Sequence, residues 1–197
     1  MLPEVEIVDY WKKRAAVQGE KTVGFANQDM AEQDLQYQQR RELIFGVCPT
    51  DLSVLDYGCG IGRYAPYFPE YTGIDITLSL LEIASKNNPG KRFLHQKEAV
   101  PDFTGISFSL FFTATVLQHC AEEVVFKIFN ALRKSKQGNF GIFLYENSDL
   151  RVDSSHVRGR PIDFYRSVIE KRFFIKSEVS ASHLIHGEEH SALFITV

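Results

Sequence analysis

Val54-Leu55-Asp56-Tyr57-Gly58-Cys59-Gly60-Ile61-Gly62-Arg63-Tyr64 is a short apolar run that ends in three glycines spaced by two. Glycine adopts positive φ at little steric cost and lets a ligand come close to the backbone, so the stretch predicts a strand followed by a tight turn. A helix is expected from near Ile61, with its free N–H groups aimed at a cleft.

Seven residues after Tyr64, Tyr71-Thr72-Gly73-Ile74-Asp75 reads as a second strand ending in a carboxylate. An acid in that place can accept both hydroxyls of a ribose. Further short apolar runs follow at 92–94, 108–112 and 141–145, separated by amphipathic stretches at 78–86, opened by Thr77 as an N-cap, and at 121–135. Strands alternating with helices predict β-α-β units and a parallel sheet. The pattern breaks at the end, where 172–176 and 191–197 are strand-like with no helix-length segment between them, which predicts an antiparallel terminal hairpin. Upstream, residues 4–16 around Tyr10 and Trp11 and residues 28–47, with Met30, Leu35, Leu43, Ile44 and Val47 as apolar positions, read as helices that cap the sheet. No repeat or linker divides the chain, so residues 1–197 are expected to form one domain, with 1–51 contributing a lid and 52–197 the core.

Dinucleotide enzymes use G-x-G-x-x-G. Here the spacing is G-x-G-x-G with Asp56 upstream, and this form resembles motif I of the class I S-adenosylmethionine-dependent methyltransferases. The resemblance extends to 93–103, similar to the adenine-side strand and loop with Glu98 at the acidic position. It extends also to 108–120, similar to an F-D-L-V strand followed by V-L-x-H, with Ser109 where an aspartate is common. It implies an α/β, three-layer, Rossmann-like fold: a seven-stranded sheet of order 3-2-1-4-5-7-6, its last strand antiparallel, with an N-terminal helical cap. It also implies that S-adenosyl-L-methionine is the cofactor and S-adenosyl-L-homocysteine the product. Asp56, Gly58, Gly60 and Gly62 are then expected to hold the methionine portion, Asp75 and Ile76 the ribose side, and Glu98 and Ala99 the adenine. Thr113 and Leu117 would complete the cofactor wall, and Tyr37 and Arg40 would meet the methionine carboxylate.

In an open α/β sheet the crevice lies outside the carboxyl ends of the parallel strands. His119 follows the fourth strand, Glu146 ends the fifth, and the 185–190 turn with His186, Glu188 and His190 opens on the same face. The 151–160 loop brings His156, Arg158 and two further arginines, a composition suited to a carboxylate, a phosphate or a hydroxyl-rich acceptor. Methyl transfer to oxygen needs a proton removed, and a histidine near its ordinary pKa of about 6.5 is the usual base. His119 is the first candidate, with His186 and Glu146 beside it, and His156, Arg158, Glu188 and His190 are expected to bind the acceptor. His119, Glu146, His186, Glu188 and His190 also permit a divalent-metal site, but His186 and His190 flank a turn rather than share a helical face, and no metal is expected. Trp11 and Phe25 are candidates for a substrate lid.

A net charge of −3, from 22 Lys and Arg against 25 Asp and Glu, provides no positive field for nucleic acid. The turn after the fourth strand also lacks the Pro-Pro-aromatic clamp of the DNA enzymes that methylate amino groups. The three scattered cysteines make neither a disulfide framework nor a zinc pattern. The start of the chain has no leader-like run, and no stretch is long enough to span a bilayer. These features predict a soluble cytoplasmic enzyme acting on a small molecule, as monomer or homodimer, with the last strand as a possible pairing edge. The leading expectation is O-methylation with a histidine base. N-methylation of a small amine and a non-catalytic S-adenosylmethionine-binding module stay open beside it.

Overall fold

The structure, a computed structural model, describes residues 4–18, 30–136, 138–154 and 156–197. In chain order the elements are α1 (Glu4–Gln18), α2 (Met30–Val47), β1 (Val54–Tyr57), β2 (Tyr71–Asp75), α3 (Leu78–Asn87), β3 (Arg92–His95), β4 (Leu110–Ala114), α4 (Glu122–Ser135), β5 (Gly141–Asn147), α5 (Ile162–Glu170), β6 (Ser177–Ile185) and β7 (Glu188–Thr196). The strands form one sheet of order β3-β2-β1-β4-β5-β7-β6, parallel except for β7, which runs antiparallel to both β5 and β6. This is the expected Rossmann-like α/β architecture.

Helices cover both faces, so the central strands are buried on both sides and read as continuous apolar runs. Alternate residues divide between two cores. Leu55, Phe111, Ile142 and Leu144 join Val125, Phe129 and Leu132 of α4 and Tyr165 and Ile169 of α5. Val54, Leu110, Phe112, Phe143 and Tyr145 join Ile44 of α2 and Leu81 of α3. Ser109, where the resembled pattern has an acid, pairs with Ser53 through their side chains at 3.0 Å and ties β4 to the start of β1.

Several local expectations are corrected. No helix starts at Ile61; turns lead to a 3-10 segment at Ala65–Tyr67, because Gly62 sits at φ 72°, which interrupts a right-handed helix. Residues 172–176 are not a strand: Phe173 and Ile175 pack on the core without pairing, and Phe174 points out. The true partner of β7 is the polar, largely exposed β6, whose composition gives no apolar signal because an edge strand buries little. The last strand is consequently internal, held between β5 and β6, and offers no pairing edge. Leu35 is exposed rather than a core position. Thr77 stands at the N-cap of α3 without a side-chain capping bond. The predicted helix start at 28–29, and Phe25, lie outside the described residues. Among the described residues no helix is long and apolar enough to cross a membrane.

Candidate active site

At the carboxyl ends of β1, β2 and β4 a cavity of about 360 Å³ opens against α1 and α2. The turn after β1 is pinned to β2, since the N–H groups of Gly58 and Cys59 both donate to the carbonyl of Ile74, at 2.8 and 3.0 Å. Gly58 has φ 75°, and a Cβ there would lie 2.5 Å from Val116 Cγ2, so only glycine lets the two loops approach. Asp75 accepts from the N–H of Gly60 at 2.9 Å through Oδ2 and from the N–H of Thr77 at 2.8 Å through Oδ1. One backbone bond on each oxygen leaves further lone pairs for a diol. Burial raises the Asp75 pKa, while those two bonds oppose the rise.

Asp56 also lines the cavity but is 2% exposed. Its carboxyl is pushed up to about 7 by burial, against the hydrogen bond of 2.5 Å that the Tyr71 hydroxyl donates to it. Ile76, Glu98 and Ala99 form the side toward β3, where the Tyr57 hydroxyl donates to the Ala99 carbonyl at 2.5 Å. Tyr37 and Arg40 of α2 reach the cavity as well. The Tyr37 ring has the guanidinium of Arg63 3.8 Å from its centroid and that of Arg40 at 5.5 Å.

Three cofactor-side expectations are not met. Gly62 does not line the cavity; a Cβ on it would meet Asn88 Nδ2 at 2.9 Å and the Phe93 ring, so its role is packing under β3. Thr113 in β4 and Leu117 in the turn after it are fully buried, and their neighbours Ala114, Thr115, Val116 and Gln118 provide the wall instead.

The far end is built by α1 and the 3-10 turn Leu117–His119. Ile7, Trp11 and Arg14, on one face of α1, line the cavity with His119 and His156. His119 Nδ1 donates to the His156 carbonyl at 2.6 Å, so in the neutral ring Nε2 keeps its lone pair. Trp11 meets the His119 ring edge to face with centroids 4.8 Å apart, and Tyr10 stacks on His156 at 5.0 Å. Burial lowers the His119 imidazole to about 4, with the nearby Arg14 charge acting the same way. His156 is lowered for the same two reasons.

Glu146 is not at the cavity. Its buried carboxyl accepts from the N–H groups of Val116, Leu117 and Gln118 at 3.2, 3.0 and 3.0 Å, holding the turn that presents His119. Desolvation pushes it up to about 7 despite these donors. His186, Glu188 and His190 belong to the β6–β7 hairpin, beyond β5 and away from the cavity. Gln36 donates to His186, and Glu188 accepts from Asn147 at 2.8 Å. His190 is 3% exposed and stacks on Tyr145. Arg158 pairs with Asp153, Arg151 with Asp149, and Arg160 donates to the carbonyls of Leu117 and Cys120, so the 151–160 loop uses its arginines on itself and its neighbours. Among the described residues no group of three or more His, Cys, Asp or Glu is placed to hold a metal ion. The sequence reading missed Ile7, Arg14 and Arg63. Arg63 sat within the glycine-rich stretch itself, whereas nothing local marks the cavity face of α1.

Residues 55–138 match the methyltransferase domain family. Among curated proteins no relative matches. The chain superposes on the N-methyltransferase NodS from Bradyrhizobium japonicum WM9 in complex with S-adenosyl-L-homocysteine, with TM-score 0.71, 13% identity, and 96% of this chain and 97% of that one covered. A complex of DhpI with the same product gives TM-score 0.66 at 13% identity, covering 96% and 95%. An S-adenosylmethionine-dependent methyltransferase from Anabaena variabilis ATCC 29413 gives 0.64 at 16%, covering 100% and 96%. The chain thus carries a methyltransferase domain over residues 55–138, set in the class I Rossmann-like fold of the S-adenosylmethionine-dependent methyltransferases.

Proposed function

We propose that this chain transfers the methyl group of S-adenosylmethionine to an oxygen of a small-molecule acceptor seated between α1 and the Leu117–His119 turn. The observation that carries the reading is a single cavity with two chemistries: glycine backbone and the carboxylates of Asp75 and Glu98 at one end, Trp11, His119 and His156 at the other. The cofactor supplies a methyl group on a positively charged sulfur. Gly58, Gly60 and Asp56 would hold its methionine portion, Tyr37 and Arg40 its carboxylate, Asp75 its ribose, and Ile76, Glu98 and Ala99 its adenine. The glycine cradle, which any Cβ at Gly58 would fill, and the paired Asp75 oxygens fit that molecule.

On the acceptor side, His119 Nε2 faces the task of taking a proton, and the carbonyl of His156 fixes the tautomer that leaves it able to do so. An imidazole held near 4 is neutral at pH 7 but weakly basic, which suits an acidic hydroxyl better than an aliphatic alcohol. The name of NodS as an N-methyltransferase supports a second reading, N-methylation of a small amine, in which the acceptor brings its own lone pair and His119 only orients it. Residues 1–197 act in either case as one unit, with the N-terminal helices as a lid.

Calorimetric titration with S-adenosylmethionine and S-adenosylhomocysteine tests the cofactor half: the wild type binds both, and Gly60→Arg and Asp75→Ala do not. Failure of the wild type to bind sinks the reading. Release of S-adenosylhomocysteine across hydroxylated and amine acceptors tests the rest, with His119→Ala lowering turnover on oxygen by about 100-fold or more and largely sparing it on nitrogen.

A further inference from the structure

The carboxyl groups at the carboxyl ends of β1, β2 and β5 are satisfied unequally. Glu146 accepts three backbone N–H groups and Asp75 two, whereas Asp56 accepts one hydrogen bond among the described residues, from the Tyr71 hydroxyl to Oδ2 at 2.5 Å. A carboxylate offers about four lone-pair sites, and burying it short of donors is costly. Asp56 is 2% exposed and lines the cavity, so Oδ1 is left to what the cavity holds. Strand register sets up the tyrosine contact. Tyr71 stands opposite Val54, while Gly73, two residues on and on the same face of β2, stands opposite Asp56 and brings no side chain to compete for the carboxyl. A Cβ at Gly73 would lie 2.7 Å from Cys59 Sγ and 2.9 Å from Phe93 Cδ1, so the position has no room for one. The Tyr71 ring packs against Phe68 and Phe93, with centroids 6.4 and 5.8 Å away. Burial and the Asp56 charge push the Tyr71 phenol well above its ordinary value, so it keeps its proton and donates it.

We infer that Tyr71 is a positioning residue for the cofactor: by holding Oδ2 it presents Oδ1 of Asp56 to the cavity, where Oδ1 accepts from the α-ammonium of the methionine portion. The inference rests on the proposed S-adenosylmethionine reading of the cavity. Of the two cationic centres of that molecule, the sulfonium has no N–H and the ammonium has three, so a carboxylate oxygen short of donors is matched to the ammonium. The other titratable groups around Asp56 are Asp75 at the end of β2, Cys59 in the turn, Tyr64 beyond it and Cys48 after α2, and the cations Arg40 and Arg63 line the same cavity. Burial pushes both thiols and Tyr64 up, so they are neutral near pH 7. Burial first and then Asp75 hold the Asp56 carboxyl up to about 7, and the Tyr71 hydrogen bond pulls it down. An ammonium pairs with the ionised form, so its binding strengthens as pH rises through 7, and removing the Tyr71 hydroxyl moves that rise to higher pH.

The test uses the full chain and measures by calorimetry the binding of three ligands: S-adenosylhomocysteine, its deaminated analogue, which keeps the carboxylate, and 5′-methylthioadenosine, which lacks the whole amino-acid portion. The wild type should bind S-adenosylhomocysteine about tenfold more tightly at pH 8 than at pH 6, as a partner ionising near 7 requires, while the other two ligands show no such rise. Tyr71→Phe keeps the ring and loses the donor. It should weaken S-adenosylhomocysteine about tenfold at pH 7, shift its pH midpoint upward, and leave the other two ligands as in the wild type. Asp56→Asn should lose at least as much and flatten the pH dependence, and Tyr71→Phe/Asp56→Asn should lose no more than Asp56→Asn alone. Unchanged S-adenosylhomocysteine binding in Tyr71→Phe overturns the inference, as does an equal loss on methylthioadenosine or the deaminated analogue, or additive losses in the double variant. A Tyr71→Phe protein that binds none of the three has lost the site as a whole, and it overturns the positioning role. A wild type that binds the deaminated analogue as tightly as S-adenosylhomocysteine at every pH overturns the inference while leaving the cofactor reading standing. A wild type that binds none of the three overturns the cofactor reading, and this inference with it.

Discussion

His119 keeps its proton only below about pH 4, because burial beside Trp11 and the charge of Arg14 both disfavour the imidazolium. A step that needs neutral His119 therefore runs at full strength from pH 8 down to about 5 and fails only on approach to 4, whereas an ordinary histidine would begin to fail near 6.5. We expect kcat/KM on a hydroxyl acceptor to be flat between pH 5.5 and 8 as far as this group is concerned. His119→Gln should lower kcat by about 100-fold on such an acceptor, the usual scale of a lost proton acceptor. A profile that bends at 6.5 and straightens in His119→Gln would show that the ring titrates normally. His119 was legible as a candidate because an imidazole just past the end of a parallel strand has one cleft to face. Arg14 was not, because which face of an N-terminal helix meets the cleft is decided by how α1 docks, not by its own residues.

The elements that carry the site are loops fixed by contacts across the sheet. Gly58→Ala places a methyl group 2.5 Å from Val116 Cγ2 at a backbone φ of 75°. The positive φ alone costs about 1–2 kcal/mol for a residue with a Cβ. Its melting temperature and S-adenosylhomocysteine affinity should both fall, and Gly58→Ala/Val116→Ala should recover the clash but not the backbone cost. Full recovery would mean that φ is irrelevant there. Glu146 has the same standing for the second loop: Glu146→Ala strands three N–H groups, two of them on residues with little or no exposure, at about 3 kcal/mol in total if each loses on the order of 1 kcal/mol. Thermal unfolding with kcat measured alongside checks this, and Glu146→Gln, which keeps one carbonyl oxygen for the Val116 and Leu117 donors, should lose less. Glu146 was expected to do chemistry since it ends a strand at the right edge of the sheet; the sequence cannot tell a strand-end acid that points into the cleft from one that turns back to cap a neighbouring loop. The central strands were legible because burial on both faces writes itself as unbroken Val, Leu, Ile and Phe. β6 was not, because an edge strand can be made of Ser, Glu and His.

At the scale of the whole molecule the buried ionisable groups pull stability in opposite directions with pH. The His190 imidazole takes a proton near 6.5 in the unfolded chain and only near 3 in the fold, where burial and the Arg40 charge oppose it. Between those values the unfolded chain holds more protons, so stability is complete above about 6.5 and is lost as pH falls. His119 acts with the same sign between 6.5 and about 4. Asp56 and Glu146 act with the opposite sign: their folded pKa values near 7 exceed the 3.8 and 4.5 of the unfolded chain, so the stability they bring is complete at low pH and is lost as pH rises through 7. From pH 7 to 4 the two sets partly cancel, and the wild type should lose little of its stability over that range. His190→Phe keeps a ring on Tyr145 but removes one acid-sensitive group, so its urea midpoint should hold better, or rise, as pH falls from 7 to 4 relative to the wild type. The difference is bounded by about 3.5 kcal/mol, at roughly 1.4 kcal/mol per pKa unit between 6.5 and 4. Asp56→Asn removes a group of the other sign and should steepen the loss on acidification. Urea unfolding at half-unit steps across this range separates the three proteins, and parallel curves would mean that neither buried group changes its proton affinity on folding.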